Sequence, residues 1–407
     1  MSTLPPPTLN PLNPLNHSHN ESRRYWLLVS LAGLVTAVGL GAAHHMDVQG
    51  HIVTGMNNQV VWGLPHVFAI FMIVAASGVL NVASIGSVFG QAMYKPRAAL
   101  AGLLCLAMLA GGLMVLMLDL GRPERLIIAA THYNFRSVFA WNVILYSGMA
   151  AIVVVYLWTL FERRFNHLSA RVGLAVLVWR LLLTTGTGSI FGFLVARQAY
   201  QSALLAPLFI VLSLAWGLAV FVIVQHSLYA WNRLQLSPQV QRRLARLLGI
   251  FCAASLYMVA VYHLTNLYFA RLAGFEAFIL RDGGIYPWLL WLGFGALGSL
   301  LPMLLVFHPR GGGTRCTLAA AALVLLGALA WLYVFIIGGQ AYPLDIFPGH
   351  VVSSSFGDGQ VAAYVPAWPE WLLGLGGMGA ALLLTAMGAR LLDVLPRDDA
   401  RSLVEEA

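Results

Sequence analysis

Blocks of about twenty or more apolar residues, separated by short polar stretches, run along the chain from residue 25 to residue 395. A helix of about 20 apolar residues spans the roughly 30 Å of a bilayer's hydrocarbon core. The blocks predict ten helices, labelled α1 to α10, over about 25–46, 62–90, 98–119, 138–161, 171–196, 204–231, 244–270, 287–308, 317–340 and 369–395. The alternating ten-residue segments of an outer-membrane barrel are absent. An all-α polytopic membrane protein is therefore expected. Only the connections 120–137, 271–286 and 341–368 are long, and none holds a separate domain. Residues 1–24, with Pro5-Pro6-Pro7 and a repeated Asn-Pro-Leu, read as a disordered tail. Residues 396–407 read as a second tail.

Composition agrees with this pattern. Hydrophobic residues make up 59% of the 407, and charged residues only 9%. A soluble domain carries about 25% charged residues. Sixteen of the 23 Lys and Arg flank the ends that share a side with both termini, among them Arg23, Arg24, Lys95, Arg163, Arg164, Arg242, Arg243 and Arg390. Six lie opposite: Arg122, Arg125, Arg136, Arg197, Arg271 and Arg281. That bias predicts that both termini are cytoplasmic. The net charge of +8 thus reports topology and does not point to nucleic acid. The partner implied so far is the lipid bilayer.

Cys105, Cys252 and Cys316 are isolated, with no Cys-x-x-Cys among them. The chain cannot ligate an iron–sulfur cluster by itself, and no metal-ligand motif or phosphate-binding loop is present. The remaining signal is where polar groups fall in the spans, since such groups are costly in lipid and mark functional sites. His44 and His45 close α1, and His66 stands one turn into α2. Asp119 and Arg122 end α3, His132 and Tyr133 lie in the next connection, and Asn142 opens α4. His263 and Asn266 lie near the end of α7. All lie near the interface opposite the termini.

A quinone headgroup suits such a cluster, because it needs hydrogen-bond partners and a proton-exchanging group. The expected quinone site is His66, Asp119, Arg122, His132, Tyr133 and Asn142. His44, His45, Arg180, His263 and Asn266 are expected in supporting or proton-transfer roles. Each has a plainer reading. His66 suits an interhelical contact, Asp119 an ion pair with Arg122 or Arg125, and Arg180, deep in α5, a structural role.

Four stretches carry a family resemblance: Gly55-Met56-Asn57-Asn58-Gln59 running to Trp62-Gly63, Leu118 to Arg122, His132 to Val138, and Tyr364 to Glu370. In order and spacing the chain resembles the polysulfide-reductase membrane subunits (NrfD/PsrC-like), and most of all their ten-helix, Dsr-type branch from sulfur metabolism. The resemblance implies two four-helix bundles, about 62–196 and 204–340, flanked by α1 and α10. It implies a quinol or quinone (menaquinone or ubiquinone) near the outer face of the first bundle. It also implies an extracytoplasmic ferredoxin-like iron–sulfur partner, with further membrane and cytochrome subunits. The chain departs from the family at Trp141, Asn142 and Asn266, near positions where relatives carry carboxylates. A haem b held between histidines such as His66 and His263 stays open. So does a secondary transporter with α5 broken at Gly186 and Gly188.

Overall fold

The computed structural model describes residues 19–308, 313–344, 350 and 359–395, all helix or irregular chain with no strand among them. Among the described residues ten helices are long and apolar enough to cross a membrane: α1 Arg23–Gln49, α2 Leu64–Ser87, α3 Lys95–Leu118, α4 Val138–Phe161, α5 Arg163–Gly192, α6 Leu205–Trp231, α7 Pro238–Tyr268, α8 Ile285–Phe307, α9 Thr314–Ala341 and α10 Trp368–Leu391. Several starts come earlier than the apolar runs indicate, most of all those of α1, α5 and α7. The helix of α1 begins at His19, so the predicted tail is helical over its last six residues; the polar turn adds no membrane cost because it projects beyond the apolar run. Helix α7 begins six residues early at Pro238, whose fixed φ suits a first helical turn. The tail predicted at 396–407 lies outside the described residues.

Helices α2, α3, α4 and α5 pack side by side in a ring, and α6, α7, α8 and α9 form a second. Contacts of α6 with α2 and α5 join the rings, while α10 lies on α2 and α3 with α1 outside it. The Arg390 guanidinium sits 4.5 Å from the centre of the Tyr25 ring, so α1 starts and α10 ends on one side, here the terminal side. Connections 120–137 and 271–286, and the described ends of 341–368, lie on the other, distal side. Leu31, Leu34, Val154, Trp158, Leu182 and Trp291 point outward and are exposed. An apolar perimeter of that kind is what a lipid-facing surface requires.

The central element is α2. Every one of its residues is buried except His66, Ile85 and Ser87. It crosses α6 at Gly78 and Gly217, backbone against backbone. A Cβ on Gly78 would stand 1.7 Å from the Ser213 carbonyl oxygen, and one on Gly217 would stand 2.1 Å from the Gly78 carbonyl carbon. Small residues at such crossings are how membrane helices approach closely. Helix α5 is continuous from Ser169 to Gly192, so Gly186 and Gly188 do not break it. Gly188 instead admits the Leu205 carbonyl at the start of α6. In the second ring, residues Leu289–Leu300 of α8 and Tyr333–Gly338 of α9 are wound as π-helix.

The bundle crossing makes a prediction. Gly217→Ala should cost about 1–3 kcal/mol by forcing the helices apart, read as a lower thermal midpoint in detergent. Gly33→Ala, where no atom lies within 4 Å of the added carbon, should leave the midpoint where it is.

Candidate functional site

The first-bundle site is built at the distal ends of α2 and α3. Gly63 precedes α2, Pro65 sits in its first turn, and the His66 amide bonds back to the Gly63 carbonyl. Asp119 closes α3, its amide still bonded to Val115 O at 3.0 Å; Gly121 and Pro123 follow and turn the chain away. Antiparallel packing of α2 on α3 then brings the two side chains together, with His66 Nδ1 2.7 Å from Asp119 Oδ2. The Asp119 side chain is 1% exposed and that of His66 13%. The two atoms meet at ion-pair distance but off the line of a good hydrogen bond, and Asp119 Oδ1 has no protein partner.

A carboxylate here is doubly disfavoured. It is buried, and it sits at a helix C-terminus, where the peptide dipoles present negative charge. Among the described residues His66 is its only titratable contact. Arg122 and Arg125, the other candidate counter-ions, are exposed and make no ion pair with it. The Trp62 ring stacks on His66 at 5.9 Å, and Phe139 and Phe191 pack around Trp62. His51, not singled out by the sequence, lies against Gly121 two residues past Asp119.

The remaining sequence candidates divide. Asn142 is buried beside Gly186, giving its amide to Val138 O and Gly186 O while its own oxygen stays unpartnered. The connection carrying His132 and Tyr133 folds on itself instead of onto the His66–Asp119 pair. Tyr133 donates to Ala140 O, Trp141 donates to Phe135 O at 2.8 Å, and His132 is exposed beside Thr131. Tyr133 and Trp141 thus tie the connection to the first turn of α4, whose N-cap is Ser137. His44 is exposed, and His45 packs on Trp368 at 5.1 Å. Arg180 is buried in mid-bundle, with Nε and Nη1 lacking protein partners and its carbonyl accepting from Ser77 and Thr184.

Two buried carboxylates were not evident as such in the sequence. Glu276, from the short helix Ala273–Ala277, is 0% exposed. Its Oε2 meets His263 Nδ1 at 2.8 Å and its Oε1 accepts from Asn266 Nδ2 at 2.7 Å. A carboxylate therefore stands beside α7 although Asn266 itself is an amide. Glu370, also 0% exposed, accepts from the amides of Gly55 and Ala367 and from the Tyr364 hydroxyl. Tyr364 in turn accepts from the Leu64 amide at 2.7 Å. Glu370 thus sets the entry to α2, and with it His66.

A third tie comes from Arg197, after α5, which donates to the carbonyls of Gln59 and Gln340. The Gln340 side chain bonds both the amide and the carbonyl of Trp62. Burial holds the Arg197 guanidinium below its ordinary range, with the Tyr200 phenol beside it opposing that shift.

With this geometry in view, the class is a polytopic α-helical membrane protein carrying a buried histidine–carboxylate pair at one face. Residues 52–343 match the family described as "Polysulphide reductase, NrfD", and the chain belongs to that family. It is similar to the "Hdr-like menaquinol oxidoreductase integral membrane subunit" of Archaeoglobus fulgidus, with 28% identity over 393 residues, 95% of this chain and 98% of that one. It is similar also to a selenate reductase subunit of Mesobacillus selenatarsenatis, at 22% identity over 90% and 94% of the two chains. "Protein NrfD" of Escherichia coli is 24% identical over 69% of this chain and 95% of its own length.

The Tyr364–Glu370 contact sets a stability prediction. Burial first, then the neighbouring Glu370 carboxylate, holds the Tyr364 phenol well above its ordinary value of 10.0. A group raised in the folded state contributes stability that is full below its unfolded pKa and is lost as pH rises past it. Tyr364→Phe should cost about 1–3 kcal/mol at pH 7 by orphaning Glu370 Oε1 and the Leu64 amide. It should also flatten the decline of the thermal midpoint above pH ~10.

Proposed function

We propose that this chain is the quinone-handling membrane subunit of a multi-subunit redox complex, with the headgroup seated at His66 and Asp119. The single observation that carries this reading is a buried carboxylate whose Oδ2 faces His66 Nδ1 at 2.7 Å while its Oδ1 has no protein partner. A hydroquinone hydroxyl is a donor of the kind that oxygen lacks, and the Trp62 ring offers an apolar face beside it. The name of the Archaeoglobus fulgidus relative, a menaquinol oxidoreductase subunit, supports the same substrate class for this chain. Menaquinol is accordingly the first quinol to test.

The residues present fit a proton-exchanging role. A hydroquinone loses two electrons and two protons on oxidation, and the reverse reaction takes up both. The His66–Asp119 pair can accept or return a proton at Asp119 Oδ1 or at His66 Nε2, which makes no protein hydrogen bond among the described residues. Electrons must leave to a partner, because the chain has no cluster-ligand motif. The distal connection after α3 suits such a partner: exposed Arg122, Arg125 and Arg136 alternate with exposed Ile127, Ile128 and Phe135. Arginine and large apolar groups are enriched at protein interfaces. An iron–sulfur subunit on the extracytoplasmic face, with both termini of this chain in the cytoplasm, completes the reading.

The test is saturable binding of a menaquinol headgroup analogue to the purified protein. Asp119→Asn and His66→Ala should each weaken it at least about tenfold, the loss of about 1.4 kcal/mol that one good contact supplies. His132→Ala should leave it unchanged. Unaltered affinity in both site variants, with the protein folded, contradicts the assignment.

A further inference from the structure

The second bundle holds a histidine–carboxylate pair of its own, and the quinol reading makes no use of it. Glu276 is wholly buried, and among the described residues its two oxygens pair with His263 Nδ1 and Asn266 Nδ2. No Lys or Arg contacts it among the described residues. A carboxylate without water or a basic partner cannot remain a bare anion. The third buried carboxylate, Glu370, meets this requirement with three neutral donors. Glu276 has one neutral donor and an imidazole. The balance is supplied by a proton that Glu276 and His263, at hydrogen-bond distance, can share.

Two further observations fall at the same place. His263 lines a small cavity with room for about one water molecule, and its Nε2 has no protein partner among the described residues. The cavity is walled by Ile279, Leu290, Val334 and Phe335, with Tyr262 and Trp331 beside them. Ile279 belongs to the π-helical stretch Phe278–Asp282, Leu290 to that of α8, and Val334 and Phe335 to that of α9. All three π stretches of the described chain thus meet around one histidine. π turns inside α-helices are frequent at functional sites.

We propose that His263, Glu276 and Asn266 form a proton-binding site in the second bundle, which holds one proton and exchanges it through a water at His263 Nε2. No covalent bond changes: the proton moves between the imidazole, the carboxylate and that water. The cavity is too small for a quinone ring, so this site differs in kind from the one at His66. Other ionisable groups facing it are few. Tyr262 of α7 packs edge-on to His263 at 5.0 Å and donates to Ala199 O. Tyr286 of α8 packs on Phe278, and Tyr342 beyond α9 packs on Phe275. Arg271 is exposed and bonded to Gln201, and Arg281 is paired with Asp282 at the surface.

The experiment is proton uptake by the purified protein after pH jumps between pH 9 and 5, followed by infrared difference spectra in H2O and D2O. Wild type should take up one proton more per molecule than Glu276→Gln. The variant should also lack an exchange-sensitive carboxyl or imidazole signal that Asp119→Asn retains. If Glu276→Gln does not fold, His263→Gln carries the same test, because it keeps a donor toward Glu276 without a titrating ring. Uptake and spectra equal to wild type in the folded variant would overturn the proposal. Quinol binding plays no part in either readout, so the two assignments stand or fall separately.

Discussion

A charge enclosed in a membrane bundle has to bring its compensation with it, and this requirement organises the distal face of the protein. Among the described residues three buried carboxylates stand there, and each is met differently. Glu370 takes three hydrogen bonds from neutral donors and is left with nothing to exchange. Glu276 is met by an imidazole and one amide. Asp119 is met by an imidazole alone, with one oxygen left over. The order runs from frame to proton-holding pair to open site, and the less complete the protein's own compensation, the more room there is for a ligand to supply it.

The frame explains how an incomplete site is kept in place. His66 occupies the first turn of α2, and the stretch of chain leading to that turn is tied at Gly55 and Leu64 through Glu370 and Tyr364. It is tied again at Gln59 and Trp62 through Arg197 and Gln340. These bonds join α10, the end of α9 and the α5–α6 connection to a single entry point. The crossing of α2 and α6 at Gly78 and Gly217 sets the same helix at mid-length. An aromatic row runs onward from Trp62 through Tyr200 and Phe335 to Tyr262 beside His263. The two histidine–carboxylate pairs therefore belong to one packed layer.

Much of this was legible from residue order, and the part that was not has a physical cause. Span number and position follow from run length, because lipid demands unbroken apolar helix. Asp119 and His66 could be picked out because each interrupts or ends an apolar run at a similar depth. Glu276 and Glu370 could not: one lies in a connection and the other at a helix start, where an acidic residue normally faces water. Their burial depends on contacts with residues such as Gly55, 315 positions away. The motif from His132 to Val138 was legible as a unit, yet its polar groups serve the turn into α4 and not the pair at His66. The π-helical turns of α8 and α9 leave no mark in hydropathy at all, since their side chains are as apolar as those of any other span.

The most direct test of the account is a structure of the protein in lipid with a menaquinol headgroup analogue bound. The account predicts an oxygen of the analogue within hydrogen-bond reach of Asp119 Oδ1 or His66 Nε2, with the ring beside Trp62. A headgroup bound elsewhere, with the His66–Asp119 pair closed on itself, would contradict it.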